Sequence, residues 1–291
     1  MKGISLIIPV YNEENSLEET IDRCFKMFSN VSFDNEIIIV NDGSTDRTSL
    51  ILERIKEQNN IKIICNEKNK GYGASLKKGI KNAIYEYIFI SDCDGTYPIE
   101  KLPEFSEELL NGKCDMIVGA RRGSNVAIPL VRRPAKKFIG MLANYLSGHK
   151  IPDVNSGFRG FKKEIAEKYF NILPDGFSFT TTITLAMLTN DYSVKYIDIE
   201  YFKRKGVSKI HPIRDTSNFI RLIIRTILYF DPLKIFLPVS GILFFAGIGT
   251  FLYSIFFMEK VFEDTTVILV MAAFQIFAIG LIADLIEKRM K

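Results

Sequence analysis

Tyr87-Ile-Phe-Ile-Ser-Asp-Cys-Asp-Gly95 is the stretch from which the chain can be read. Its apolar run, Ile88 to Ile90, stops at two carboxylates, Asp92 and Asp94. A short apolar run bounded by turn residues reads as a buried strand. In extended backbone, residues two apart point the same way, so both carboxylates are expected to reach one point just past the strand. Open α/β sheets bind ligands at that edge. Two oxygen ligands with no histidine nearby suit a hard cation, Mg2+ or Mn2+, held together with a substrate diphosphate. Taken alone, Asp-x-Asp is equally an acidic turn after a strand. Cys93 alternates away from the pair and is expected in the core.

Strand and helix patterns alternate around this stretch. Strands are expected at 4–10, 36–40, 61–64, 87–91 and 116–119, and helices at 14–28, 46–58, 73–83 and 98–110. Such alternation implies an α/β fold, with a mostly parallel, Rossmann-like sheet covered on both faces. The strand ends carry polar residues: Tyr11-Asn12-Glu13 after Pro9, Asp42-Gly43-Ser44-Thr45-Asp46, and the Asp92/Asp94 pair. Along one sheet edge they would form a nucleotide crevice, with Asp42 against a base or ribose. Ser44 and Thr45 are expected to cap the following helix. Lys70, with Gly71 and Gly73, either approaches a pyrophosphate or forms a plain loop before a helix.

A formal net charge of +4 over 291 residues is too mild to point to nucleic acid. With no tryptophan and two histidines, histidine-based chemistry has little material. Four scattered cysteines without Cys-x-x-Cys read as free thiols of a reducing compartment. The N-terminus reads as a first strand, not a signal peptide. Near the C-terminus, 235–257 and 265–283 contain no charged residue. At ~1.5 Å per residue the first can cross a bilayer, and the second is near the lower limit. The loop between them is acidic (Glu259, Glu263, Asp264 against Lys260), while Arg221, Arg225 and Lys234 precede the spans and Lys288, Arg289 and Lys291 follow. The positive-inside rule then puts both termini and the N-terminal domain in the cytoplasm of a cell-membrane protein.

Past Gly119 the charge turns positive. Arg121 follows a strand, and Arg132, Arg133, Lys136 and Lys137 open an amphipathic stretch at 138–146, suited to an interfacial anion. A further strand is expected at 194–202. After it, Lys203-Arg204-Lys205-Gly206-Val207-Ser208-Lys209 reads as a juxtamembrane basic cluster drawn to anionic lipid, or as a loop over a phosphate ligand. Arg214, Asn218, Arg221 and Arg225 share one helical face, and apolar residues cover the rest, as in a helix lying among headgroups. The expected order is a domain at 1–213, an amphipathic juxtamembrane helix at 214–232 and two membrane helices at 233–291.

Ile8-Pro9-Val10-Tyr11-Asn12-Glu13, Val40-Asn41-Asp42-Gly43-Ser44-Thr45-Asp46, Asn69-Lys70-Gly71-Tyr72-Gly73 and Asp92-Cys93-Asp94, in that order, resemble the motifs of family 2 glycosyltransferases with the GT-A fold. The resemblance implies a UDP- or GDP-sugar donor, inversion at the anomeric carbon, and Mg2+ or Mn2+. It implies that Pro9, Tyr11, Glu13 and Asp42 line the nucleotide-sugar pocket, where Lys70 and Arg121 are expected as its cationic groups. Asp92 would face nucleotide and sugar, Asp94 would hold the metal beside it, and Asp153 would touch a sugar hydroxyl. Arg204, Ser208 and Lys209 are similar to a loop of dolichyl-phosphate mannose synthases and bacterial polyprenyl-phosphate glucosyltransferases. That likeness implies closure over the donor diphosphate, which excludes water. Asp92, Asp94 and Arg204 are the expected catalytic group. Tetramers in the second group imply a homo-oligomer.

Inverting enzymes of this fold that use hydroxyl acceptors place an acidic base near Phe179-Thr-Thr-Thr-Ile-Thr-Leu. Here threonines fill the stretch, with no acid nearer than Asp175 or Asp191. A lipid monophosphate needs no base, because its second pKa lies near ~6. Arg132, Arg133, Lys136 and Lys137 would hold that phosphate. The expected reaction is transfer of one hexose to a polyprenyl phosphate of dolichyl or undecaprenyl type at the cytoplasmic membrane face. Two alternatives stand beside it: transfer to a lipid hydroxyl such as diacylglycerol or a glycolipid, and a non-catalytic membrane protein that binds nucleotide sugar.

Overall fold

The computed structural model describes residues 2–56, 61–121, 140–141, 143–145, 147–176, 178–202, 224–258 and 263–290. Seven described strands form one sheet: β1 (Ile4–Val10), β2 (Asn35–Asn41), β3 (Ile61–Cys65), β4 (Tyr87–Ile90), β5 (Met116–Arg121), β6 (Arg159–Lys162) and β7 (Val194–Ile199). Their order is β3-β2-β1-β4-β6-β5-β7. All neighbours run parallel except β6, which is antiparallel to both β4 and β5. Helices α1 (Leu17–Phe28), α2 (Thr48–Ile55), α3 (Tyr72–Asn82), α4 (Leu102–Leu110), α5 (Lys163–Lys168) and α6 (Phe179–Thr189) connect and follow the strands.

The central strands are apolar because neither face meets water. Ile4, Leu6, Ile7 and Ile8 on β1 and Ile88, Phe89 and Ile90 on β4 are fully buried. On α1, Leu17, Ile21, Cys24 and Phe28 recur every three or four residues and close over this core. Cys93 joins the same cluster, as expected from its alternation. β6 begins at Arg159, outside the strands expected from the sequence, and runs against both neighbours. The expected helix at 98–110 opens with a 3-10 turn, Ile99–Lys101, before α4.

The chain divides into two compact units, Met1–Leu222 and Ile223–Lys291. In the second, a short helical segment at 224–230 buries Thr226, Ile227 and Phe230 and exposes Arg225. Arg214, Asn218 and Arg221 lie outside the described residues. Then come α7 (Leu233–Phe257) and α8 (Glu263–Met290), both long and apolar enough to cross a membrane. The second carries its uncharged core, 265–283, within a helix of 28 residues.

These two helices meet through small residues. Ser240, Gly247 and Ser254 are buried on α7 at seven-residue intervals, and Ala273 lies buried on α8, seven residues before Gly280. A Cβ on Gly280 would lie 2.6 Å from Phe236 Cβ, and one on Gly247 2.9 Å from Val270 Cγ2. The bulky side chains, such as Ile242, Phe245, Phe256 and Ile268, are exposed. Close backbone approach over small residues is how helices associate where apolar burial gives no driving force. Gly280→Leu is therefore expected to destabilise the hairpin by about 1–3 kcal/mol through overpacking. Thermal unfolding in detergent should show the loss, while Ile242→Leu should leave the midpoint unchanged.

Candidate active site

Loops leaving β1, β2 and β4 come together at the carboxyl edge of the sheet, and the first two are stitched to each other. Asn12, in left-handed backbone at φ 55, donates its N–H to Ser44 Oγ (3.1 Å) and accepts the Thr45 N–H at Oδ1 (2.8 Å). The Glu13 N–H donates to Thr48 Oγ1 (3.0 Å). Ser44 and Thr45 thus do not cap α2, contrary to expectation: their hydroxyls face the neighbouring loop. Asp46 does that local work, accepting the Thr48 N–H at 3.0 Å. Pro9, Tyr11 and Glu13 are half-buried beside this seam.

Asp42 is almost completely buried, and its own chain occupies its carboxylate. Oδ1 accepts from Asn66 Nδ2 (2.8 Å) and the Lys70 N–H (2.9 Å), and Oδ2 from the Gly71 N–H (2.8 Å). Lys78 donates to Asn66 Oδ1 at 2.8 Å. An ammonium only donates and a carboxylate only accepts, so the Asn66 amide has one permitted orientation between them. The expected contact of Asp42 with a base is thereby joined by a second task, holding the 66–71 loop.

That loop also decides between the two roles open to its glycines. Gly71 has φ 101, and a Cβ there would lie 2.5 Å from the Asp175 carbonyl oxygen. A Cβ on Gly73 would overlap the Pro174 carbonyl oxygen. The Ala74 N–H donates to the Asp175 carbonyl at 3.0 Å. The amides of Lys70, Gly71 and Ala74 thus serve Asp42 and Asp175, which favours the plain loop over a diphosphate cradle. The Lys70 side chain is exposed.

Asp92 and Asp94 leave the end of β4 toward different partners. Asp92 Oδ1 accepts the Tyr72 hydroxyl at 3.0 Å, and its carboxylate lies against Gly157. Asp94 is buried, and its Oδ1 accepts both the N–H and the hydroxyl of Thr96, at 3.1 and 2.5 Å. The Thr96 carbonyl in turn accepts the Phe202 N–H at 2.9 Å. The donor set is carboxylate oxygen, with Cys93 turned into the core, so it fits a hard divalent cation. Among the described residues no cluster of three metal-ligating side chains forms. The remaining coordination would fall to ligand and water oxygens, the usual arrangement for Mg2+.

On the other side of β4, Asp153 and Arg121 form a two-pronged ion pair at 2.6 and 2.9 Å. Asp153 also accepts the backbone N–H groups of Arg121 (3.2 Å) and Asn155 (3.1 Å). Asp153, expected to touch a sugar hydroxyl, is thus bound here to Arg121 and to two backbone amides. Burial pushes the Asp153 carboxyl up, but the Arg121 guanidinium and the amides outweigh it and hold it below the usual carboxylate range. Arg121 is partly exposed and lies over the Tyr201 ring at 5.2 Å.

Sequence reasoning missed Arg159, which is fully buried on β6. It donates to the carbonyls of Ser156 and Thr180 (both 2.8 Å) and to Thr184 Oγ1 (2.6 Å). Burial lowers its pKa. Thr181 donates to Asn155 Oδ1. The threonines of α6 are thus joined to the 153–159 segment. Tyr72, Asn66, Lys78 and Thr96 were missed too. Only Tyr72 gave a signal, standing between two glycines of a motif. Arg132, Arg133, Lys136, Lys137, Arg204, Ser208 and Lys209 lie outside the described residues.

Residues 5–170, more than half of the chain, match Glycosyl transferase family 2. The chain belongs to this family. Residues 231–288 of this glycosyltransferase match the GtrB C-terminal hairpin. An undecaprenyl-phosphate 4-deoxy-4-formamido-L-arabinose transferase of Pectobacterium carotovorum is 26% identical, over 99% of this chain and 89% of that one. A dolichol-phosphate mannosyltransferase of Pyrococcus furiosus is 29% identical, over 71% of this chain and 59% of that enzyme. Among solved structures, glucosyl-3-phosphoglycerate synthase of Mycobacterium tuberculosis, crystallised with Mn2+, UDP and glucosyl-3-phosphoglycerate, has a TM-score of 0.57. It is 19% identical and covers 78% of this chain and 79% of that one, so it shows the GT-A fold.

The Arg121–Asp153 pair yields a prediction. Asp153→Asn leaves a largely buried guanidinium without its counter-charge and should cost about 3 kcal/mol. The folded pKa of Asp153 lies below its unfolded value of about 3.9. Its contribution is therefore complete above that value and fades as pH falls through the folded pKa. Denaturant unfolding of both proteins should give curves that converge in acid and separate at neutral pH.

Proposed function

We propose that the enzyme transfers one hexose, with inversion, from a UDP- or GDP-sugar to a polyprenyl phosphate at the cytoplasmic membrane face. One structural observation carries the choice of acceptor. The first two turns of α6, where a hydroxyl acceptor would need its base, carry threonines, of which Thr181 is bonded to Asn155 and Thr184 to Arg159. The nearest acid before it, Asp175, is tied to Lys77 at 2.8 Å. An acceptor that arrives already ionised requires no proton transfer, and a phosphate monoester is mostly dianionic at neutral pH. The named relatives, which use polyprenyl phosphates, and the matching apolar hairpin support the same reading.

In this reading Tyr11, Glu13 and the Asp42 loop hold the nucleotide, and Asp92 orients the sugar. Asp94, with Asp92 beside it, would hold Mg2+ or Mn2+. When bound, that ion neutralises charge on the departing diphosphate. Arg132, Arg133, Lys136 and Lys137 hold the acceptor phosphate, and Arg204, Ser208 and Lys209 cover the donor and exclude water. The hairpin anchors the enzyme with both termini cytoplasmic, as a homo-oligomer.

Polyprenyl phosphate offered in parallel with labelled UDP-glucose, GDP-mannose and UDP-N-acetylglucosamine tests this directly. Label should enter a lipid phosphate with one donor. Label appearing only on diacylglycerol or a glycolipid would overturn the acceptor. Asp94→Ala should lose most turnover, by about a hundredfold or more, in a protein that still unfolds cooperatively but at a somewhat lower midpoint, because Thr96 loses its buried acceptor. Normal turnover in that variant would remove Asp94 from the metal site.

A further inference from the structure

Tyr72 has no part in the scheme above, yet the chain holds it from two sides. Its backbone begins α3 between two glycines. On one side the Lys70 and Gly71 amides are bound by Asp42. On the other, the 174–176 segment lies so close that Gly71 and Gly73 admit no side chain, and the Lys77–Asp175 ion pair closes the contact. With the Cα held from both sides, the phenol reaches Asp92 Oδ1 at 3.0 Å.

The far side of that carboxylate has a wall. A Cβ on Gly157 would lie 2.8 Å from Asp92 Oδ2 and 3.0 Å from its Cγ, so the carboxylate rests on the bare glycine. The wall is itself fastened, because the Gly157 N–H donates to the Tyr97 hydroxyl at 2.7 Å. Tyr97 packs between Phe158 and Tyr201, with centroids 5.9 and 5.5 Å away. A carboxylate torsion is intrinsically broad and needs such constraints to hold one setting.

We infer that Tyr72 is a positioning residue for the transfer reaction: its hydroxyl and the Gly157 wall together set the Asp92 carboxylate in the orientation that grips the donor sugar. An ionised carboxylate only accepts, so the phenol is the donor. The bond is charge-assisted, the stronger kind. The inference rests on the donor reading above.

The test compares Tyr72→Phe with the wild type by calorimetry in the presence of Mn2+. The probes are UDP with UDP-glucose, and GDP with GDP-mannose. Loss of the hydroxyl should weaken nucleoside-diphosphate and Mn2+ binding far less than nucleotide-sugar binding, because Asp94 keeps its own partners in the variant. Affinity for the matching nucleotide sugar should fall about tenfold or more, the scale of one hydrogen bond to a charged group. A parallel fall for diphosphate and nucleotide sugar, or no fall in either, would overturn the inference. A thermal double-mutant cycle of Tyr72→Phe with Asp92→Asn needs no ligand. Non-additive shifts support the bond, and additive shifts refute it. Should the wild type bind none of the four probes, the donor reading fails and this cycle alone decides the tyrosine.

Discussion

A buried carboxylate must be met by donors, and Asp42 is met by the backbone of the loop that follows β3. This requirement organises the sheet's carboxyl edge. Asp42 fixes the Lys70 and Gly71 amides, which fix the start of α3, which aims Tyr72 at Asp92. Lys78 and Asn66 support the charge from behind. The loops of three separate strands therefore hold one geometry before any ligand arrives. Such preorganisation avoids ordering costs at the moment of binding.

The parallel half of the sheet was legible in the sequence because its strands are short, mostly apolar runs separated by helical periodicity. Asp92 and Asp94 were legible for a related reason: charge placed abruptly after Ile88–Ile90 marks the point where a buried strand leaves the core for the sheet's open edge. The antiparallel insertion of β6 was not. Its four residues include an arginine, a lysine and a glycine, and their burial depends on partners far away in sequence. Arg159 looks solvent-exposed on composition alone. The carbonyls of Val154, Ser156 and Thr180 and the Thr184 hydroxyl make its burial tolerable.

The same limit applied to individual site residues. Residue type and spacing marked Asp42, Asp153 and Arg121 as candidates, but not what each carboxylate would accept. Asp153 and Arg121 neutralise one another, so two residues read as ligand contacts are first a structural pair. Ser44 and Thr45 had the chemistry of helix caps, and the neighbouring strand-end loop claimed them instead. A hydrogen-bonding side chain near a strand end has several partners within reach, and local sequence does not rank them. The threonine-rich start of α6 was read correctly as lacking an acid. Its bonds to Asn155 and Arg159 add that the stretch is rigidly committed.

The terminal hairpin separates two kinds of sequence constraint. At Gly247 and Gly280 a single added carbon meets the opposite helix, so those sites admit almost nothing larger. At Ile242, Phe245 or Phe256 the side chain is largely exposed, and any greasy residue serves. Descendants of such a hairpin can thus exchange most of their letters while preserving the rhythm of the tiny ones. Its ancestry would be traced through the spacing of the gaps, with the bulk between them free to drift.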